Sequence, residues 1–414
     1  MRRLLMWLIL ILMAACSREA PVETLQPSTE AISDWRLSIE LSAVDLPVQL
    51  HLAPDASEAW LRNGAEKVPI TEISRDGVNW TLRFPAFNNT LVLKETASGF
   101  TGSLTLVKRG YEQHMAVSAM PDPGFRFFDN PEPQVDLTGR WEVTFTEDDG
   151  TQSFAIGEFD QHGGRISGTF LTAKGDYRYL AGEVDGRAMR LSTFDGAHAF
   201  VFSAQALADG TLTGDFWSGT QWHESWVAKR NFDARLPDAW SLTYLKEGFD
   251  RFGFTFPDLE GEPVSLDDEK YRDKVVLVSL GGTWCPNCAD EMEFLAAVFR
   301  ENNSRGLEII TLLYEHFEDF GRAAERGKAL VQKHDIEFDV LVAGSSDKVD
   351  AAQTLPMLNH VLAFPTLIFI DRKGDVRRIH TGFSGPGTGQ HYLEFKNEFT
   401  SLVDALLSEP VESS

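Results

Sequence analysis

From Trp35 to about Arg235 the chain alternates apolar and polar residues in short runs. Examples are Trp35-Arg36-Leu37-Ser38-Ile39-Glu40-Leu41 and Arg140-Trp141-Glu142-Val143-Thr144-Phe145. A period of two puts one face of a strand in a core and the other in water. Gly77, Gly102, Gly150, Gly164, Gly186, Gly210 and Gly214 punctuate the runs. The pattern predicts an all-β region, a sandwich or a barrel, over residues 34–237. It also contains a degenerate repeat. Asp76-Gly77-Val78-Asn79-Trp80-Thr81-Leu82 echoes Asp185-Gly186-Arg187-Ala188-Met189-Arg190-Leu191, and Gly110 and His114 echo Gly219 and His223. The echo suggests a duplicated region, with halves 34–120 and 134–237 joined by a proline-containing connection.

Beyond Asp238 the pattern changes. Val275-Val276-Leu277-Val278-Ser279-Leu280 is a nearly continuous apolar run, as a strand buried on both faces should be. A helical stretch follows from Pro286 to about Asn303. Buried strands are predicted over Leu307 to Tyr314, Glu337 to Val342, Thr366 to Ile370 and Val376 to His380. Helices are predicted over Gly321 to His334 and Tyr392 to Leu407. Strands alternating with helices predict an α/β domain over residues 250–409, with a mostly parallel core. The chain of 414 residues is thus multidomain, all-β and then α/β.

The N-terminus carries a different signal. Arg2 and Arg3 precede an apolar run from Leu4 to Met13, too short to span a bilayer as a mature helix. Residues 1–15 read as a signal peptide. Met13-Ala14-Ala15-Cys16 resembles a bacterial lipobox, which implies lipidation at Cys16 and a polar tether over 16–33. Ser17, not Asp, follows Cys16, so the expected place is the outer membrane, facing the periplasm. A formal net charge of −24 argues against nucleic acid as a partner.

Only three cysteines occur. With Cys16 lipidated, two remain, in Trp284-Cys285-Pro286-Asn287-Cys288. One close pair in an exported protein reads as redox chemistry or metal binding, not as a scaffold of staples. Metal binding would need further ligands, and the ten histidines show no ligand spacing, so no metal and no bound cofactor are expected. The motif follows a buried strand and opens a helix. A helix N-terminus favours thiolate over thiol, and Pro286 fits its first turn. Cys285, first and more exposed, is assigned as nucleophile; Cys288 resolves the mixed disulfide.

These residues, with Phe256-Pro257-Asp258-Leu259, Glu291 and Phe364-Pro365-Thr366-Leu367-Ile368-Phe369-Ile370-Asp371, resemble the TlpA- and ResA-like thioredoxin-fold disulfide reductases of the redoxin (AhpC/TSA) group. The resemblance covers somewhat over a third of the chain. It implies a cis-proline at Pro365 that holds the backbone of Phe364 open for substrate, with Thr366 beginning the strand behind it. It also implies a partly buried carboxylate at Glu291 that trades a proton with Cys288. Its substrates would be protein disulfides, and a membrane-bound electron donor would recharge it. Three positions depart from the family: Gly281-Gly282 before the motif, Glu293 after it, and Ser279 where thioredoxin has a buried Asp.

Two other functions fit parts of the chain. A thiol peroxidase would share the redoxin lead-in, but the Pro-x-x-x-Thr/Ser-x-x-Cys pattern is absent around the cysteines. A binding lipoprotein would use the β-region, with a passive thioredoxin-like companion. Gly382 to Gly389 lacks the Lys-Ser/Thr ending of a phosphate loop and reads as a connector.

Overall fold

The computed structural model describes residues 32–410. The signal peptide at 1–15 and Cys16 lie outside the described residues.

The alternation builds two antiparallel sheets. The first contains β1 (Asp34–Glu40), β2 (Asp45–Leu52), β3 (Ala59–Asn63), β4 (Glu66–Pro69), β5 (Glu72–Asp76), β6 (Asn79–Phe84), β7 (Asn89–Thr96), β8 (Gly99–Lys108) and β9 (Tyr111–Pro121). Their order is β4-β3-β2-β1-β9-β8-β7-β6-β5, an open sheet with β1 and β9 paired at its centre. The second contains β10 (Gly139–Glu147), β11 (Gln152–His162), β12 (Arg165–Thr172), β13 (Gly175–Asp176), β14 (Leu180–Asp185), β15 (Ala188–Phe194), β16 (Ala199–Ala206), β17 (Leu212–Ser218) and β18 (Trp222–Arg230). Here β11 pairs with both β10 and β12, and β18 returns to β10, so the sheet closes into a barrel. Closure removes the free edges that an open sheet leaves.

The barrel interior is filled by its inward alternate residues. Phe202 stacks on Phe170 and Phe216 with ring centroids 4.6 and 4.4 Å away. Trp141, from the Gly139-Arg140-Trp141 segment, is buried there and donates from Nε1 to the carbonyl of Leu137. The open sheet buries Leu37, Ile39, Val48 and Leu50 against Phe194, Ala199 and Val201 on the barrel's outside. The echoed segments take matching places. Asp76 pairs with Asn79 across Gly77-Val78, and Asp185 with Ala188 across Gly186-Arg187. Gly77 and Gly186 have φ of 59° and 54°, which a side chain would strain.

The remaining elements form the second layer system: β19 (Thr255–Pro257), β20 (Pro263–Ser265), β21 (Val275–Gly281), α1 (Pro286–Asn302), β22 (Leu307–Glu315), α2 (Phe320–His334), β23 (Asp339–Ser345), α3 (Lys348–Thr354), β24 (Thr366–Ile370), β25 (Val376–Thr381) and α4 (Gln390–Ser408). The sheet order is β23-β22-β21-β24-β25. Every residue of β21 is buried, as its unbroken apolar run requires. The core is mixed rather than mostly parallel in its pairings: β23, β22 and β21 pair in parallel, whereas β24 pairs antiparallel with both β21 and β25. The reason is local. Thr366 pairs with Leu280, so β24 begins beside the end of β21, and a tight turn at Gly374 sends β25 back. This register brings Pro365 to the same end of the sheet as the cysteines.

Ala239 and Trp240 also pack on this sheet. The Trp240 ring lies 5.6 Å from Phe369 and 4.6 Å from His380, and Thr381 donates its N–H to the carbonyl of Ala239.

Candidate active site

Cys285 is the N-cap of α1, with extended backbone, and Pro286 takes the first helical position. The pair is joined as a disulfide with Cα atoms 5.2 Å apart. The Cys285 sulfur accepts the Cys288 N–H at 3.2 Å, so the nucleophile position faces the positive end of the helix. Cys285 was expected to be the more exposed cysteine. It is, but only at 6% against 1% for Cys288. Cys285 Sγ lies 3.6 Å from the carbonyl oxygen of Phe364. The peptide bond between Phe364 and Pro365 is cis. Thr366 is buried and donates its hydroxyl to the carbonyl of Ala363, closing the turn around that proline.

Two carboxyls lie behind the cysteines. Glu291 sits three residues after Cys288 on the same face of α1. It is fully buried, more deeply than the sequence suggested. Burial pushes its pKa up to about 8, opposed by one hydrogen bond from the Ser279 hydroxyl. That bond is 2.6 Å, so Ser279, counted above as a departure, has a partner in the carboxyl of Glu291. Glu315, at the end of β22, accepts the Thr283 N–H at 2.7 Å and its hydroxyl at 3.0 Å. Burial raises Glu315 to about 7. It anchors the loop immediately before Trp284.

Trp284 is half-buried and donates from Nε1 to the carbonyl of Tyr314 at 2.8 Å. Its ring stacks on His316 and meets Phe364 edge-on. Asn287 Nδ2 donates to the carbonyl oxygen of Asp176, on β13 of the barrel hairpin formed by β12 and β13.

Sequence reasoning missed what surrounds Asn287. Arg178, from that hairpin, donates to the carbonyl of Pro286 at 3.3 Å and pairs with Asp290. It also pairs with Glu66 at 2.6 Å and lies 3.4 Å from Asp195. Asp290 is largely buried, and that burial raises it to about 7. No local signal marks this cluster, because Arg178 lies 112 residues from both Glu66 and Asp290.

A Cys-x-x-Cys disulfide at a helix N-terminus, a cis-proline beside it and a buried carboxyl one turn on define a thioredoxin-like thiol–disulfide oxidoreductase domain. Residues 251–379 match the AhpC/TSA family. The chain is 27% identical over 158 residues to the thiol-disulfide oxidoreductase ResA of Halalkalibacterium halodurans, covering 38% of this chain and 77% of that protein. It is 28% identical to ResA of Bacillus thuringiensis over 30% of this chain and 62% of that one. It is 25% identical to the thioredoxin-like protein YneN of Bacillus subtilis over 33% and 73%. Among solved structures, a thioredoxin-family thiol:disulfide interchange protein from Chlorobium tepidum covers 39% of this chain and 99% of its own, at 19% identity and a TM-score of 0.30. All of these likenesses fall well short of the whole chain.

Proposed function

We propose that the protein is a lipid-anchored thiol–disulfide oxidoreductase of the cell envelope that reduces protein disulfides through Cys285 and Cys288. The observation that carries this reading is the Cys285 sulfur at the start of α1, beside the Phe364 carbonyl, with buried Glu291 behind it. In the reduced enzyme the Cys285 thiolate attacks a substrate disulfide. An S–S bond forms to one substrate sulfur, and the other leaves as a thiolate that takes up a proton. Cys288 loses its proton to a base, a role assigned to Glu291 in its ionised fraction, and attacks the Cys285 sulfur. The second substrate sulfur departs as a thiolate and is protonated. Two electrons and two protons pass to the substrate, and the Cys285–Cys288 disulfide remains. Phe364, held by Pro365 and Thr366, offers backbone to the incoming chain, while Trp284, Pro286 and Asn287 shape the approach.

The placement follows from the N-terminal sequence. Lipid on Cys16 would hold the domains at the outer membrane, facing the periplasm. An oxidising compartment would oxidise the dithiol, so a membrane-bound electron donor is required to recharge it. Replacing Cys16 by Ser is expected to abolish incorporation of labelled fatty acid.

The decisive experiment is the reduction potential of the pair, by equilibration in dithiothreitol buffers and counting of free thiols. A value near thioredoxin's, about −270 mV, is expected for a reductase. A value near about −120 mV would make the protein a disulfide donor, and a pair that never cycles would remove the redox reading altogether.

A further inference from the structure

The barrel hairpin from Thr172 to Arg178 lies across the approach to the cysteines. Its strands pair Thr172 with Gly175 and Leu171 with Asp176, leaving Ala173-Lys174 as the tip. One lip of the site is the start of α1, and there the hairpin meets Asn287, Pro286 and Asp290. The other lip is the loop after β25. A Cβ at Gly382 would lie 3.1 Å from the Lys174 carbonyl carbon and 3.2 Å from the Ala173 oxygen, so hairpin backbone rests flat on that glycine. Gly382 itself donates its N–H to the carbonyl of Pro365. Further along the same loop, Gly385 donates its N–H to Asp176 Oδ2 at 2.7 Å. The loop expected to be a mere connector is thus a docking surface for the β-region.

The hairpin spans the cysteine motif and the loop bonded to the cis-proline, which is where an incoming chain would have to lie. With the hairpin in place, Cys285 is only 6% exposed. Arg178 holds the arrangement. It bridges Asp290 of the redox domain to Glu66 of the open sheet and Asp195 of the barrel, all with side chains no more than 19% exposed. Arg178 is the group shared by all three carboxyls, while Asp195 also pairs with His198, so removal of Arg178 takes away the bonds that tie the redox domain to both sheets and favours separation of the surfaces.

Resting on the oxidoreductase reading, we propose that the Thr172–Arg178 hairpin is the specificity element of the dithiol: it fills the protein-binding groove, admits small disulfides, and must lift before a folded protein's disulfide reaches Cys285, with Arg178 as its latch. Among the described residues the hydrogen bonds of the Cys285 sulfur go to Phe364 and Cys288 and not to the hairpin, so it acts by position and not in the chemistry.

The test compares the reduced full-length protein in detergent on two substrates: insulin and 5,5′-dithiobis(2-nitrobenzoate). Arg178→Ala is expected to raise the insulin rate about tenfold or more and the dye rate less than about threefold. Asp176→Ala, which removes the bond to Gly385 and keeps the arginine, is expected to move the same ratio in the same direction by less. An unchanged dye rate also shows that each variant's redox domain is folded. Equal changes on both substrates, or no change in either variant, overturn the gate and leave the oxidoreductase standing. Failure of every form, wild type included, to reduce the dye removes the oxidoreductase reading and the gate with it.

Discussion

The hydroxyl of Ser279 donates a 2.6 Å hydrogen bond to Oε2 of Glu291, and neither residue has exposed surface. Oε1 of the same carboxyl has no hydrogen-bond partner among the described residues. An ionised carboxylate is poorly served by one donor, so burial raises the group from 4.5 to about 8. The folded chain therefore binds an extra proton between those values, and stability falls as pH rises through that window. Glu291→Gln cannot ionise and can keep the bond to Ser279. Its urea unfolding free energy is expected to fall less between pH 5 and pH 8 than the wild type's, by a few kcal/mol at roughly 1.4 kcal/mol per pH unit. Parallel pH profiles for the two proteins would show that Glu291 is already charged at pH 5.

Ser279→Ala removes the hydrogen bond that lowers the Glu291 pKa. The inflection assigned to this carboxyl, followed in the oxidised protein by infrared absorption of the protonated form, is expected to move to higher pH. A shift to lower pH would mean that water replaces the hydroxyl and does more.

Glu315 secures the loop that leads into the motif. Glu315→Ala strips the buried Thr283 N–H of its acceptor, which costs about 1–3 kcal/mol. Glu315→Gln retains an acceptor and should recover most of that. Urea midpoints of the two variants decide the point; equal losses would assign the effect to volume and not to the hydrogen bond.

Cys288→Ala is expected to leave substrates trapped as mixed disulfides on Cys285, visible as thiol-sensitive bands on non-reducing gels. Trapping through Cys288 in a Cys285→Ala protein, and none in the reverse variant, would exchange the two roles.

In the barrel, Phe202 is completely buried between Phe170 and Phe216. Phe202→Ala should lower stability by roughly 3–5 kcal/mol. A loss under about 1 kcal/mol, read from denaturant unfolding, would mean that the interior collapses around the gap.

The linear chain by itself determined most of the elements and where the cysteine pair sits. Period-two alternation in residues such as Trp141, Val143 and Phe145 specifies strands, because a half-buried strand needs it. The unbroken run in Val275–Gly281 specifies a strand covered on both faces. The spacing of Cys285 and Cys288 places both at one helix start, since helix geometry is local. Tertiary structure alone decided three things. It closed the second sheet and left the first open, because closure depends on β11 pairing with β12 as well as β10. It gave Ser279 to Glu291, since a strand and a helix must pack before one can face the other. It brought Asp176 and Arg178 onto Asn287 and Asp290 across more than a hundred residues of chain. No local pattern encodes such a contact; only the packing of barrel against redox domain sets which charges meet and how little of Cys285 is left to solvent.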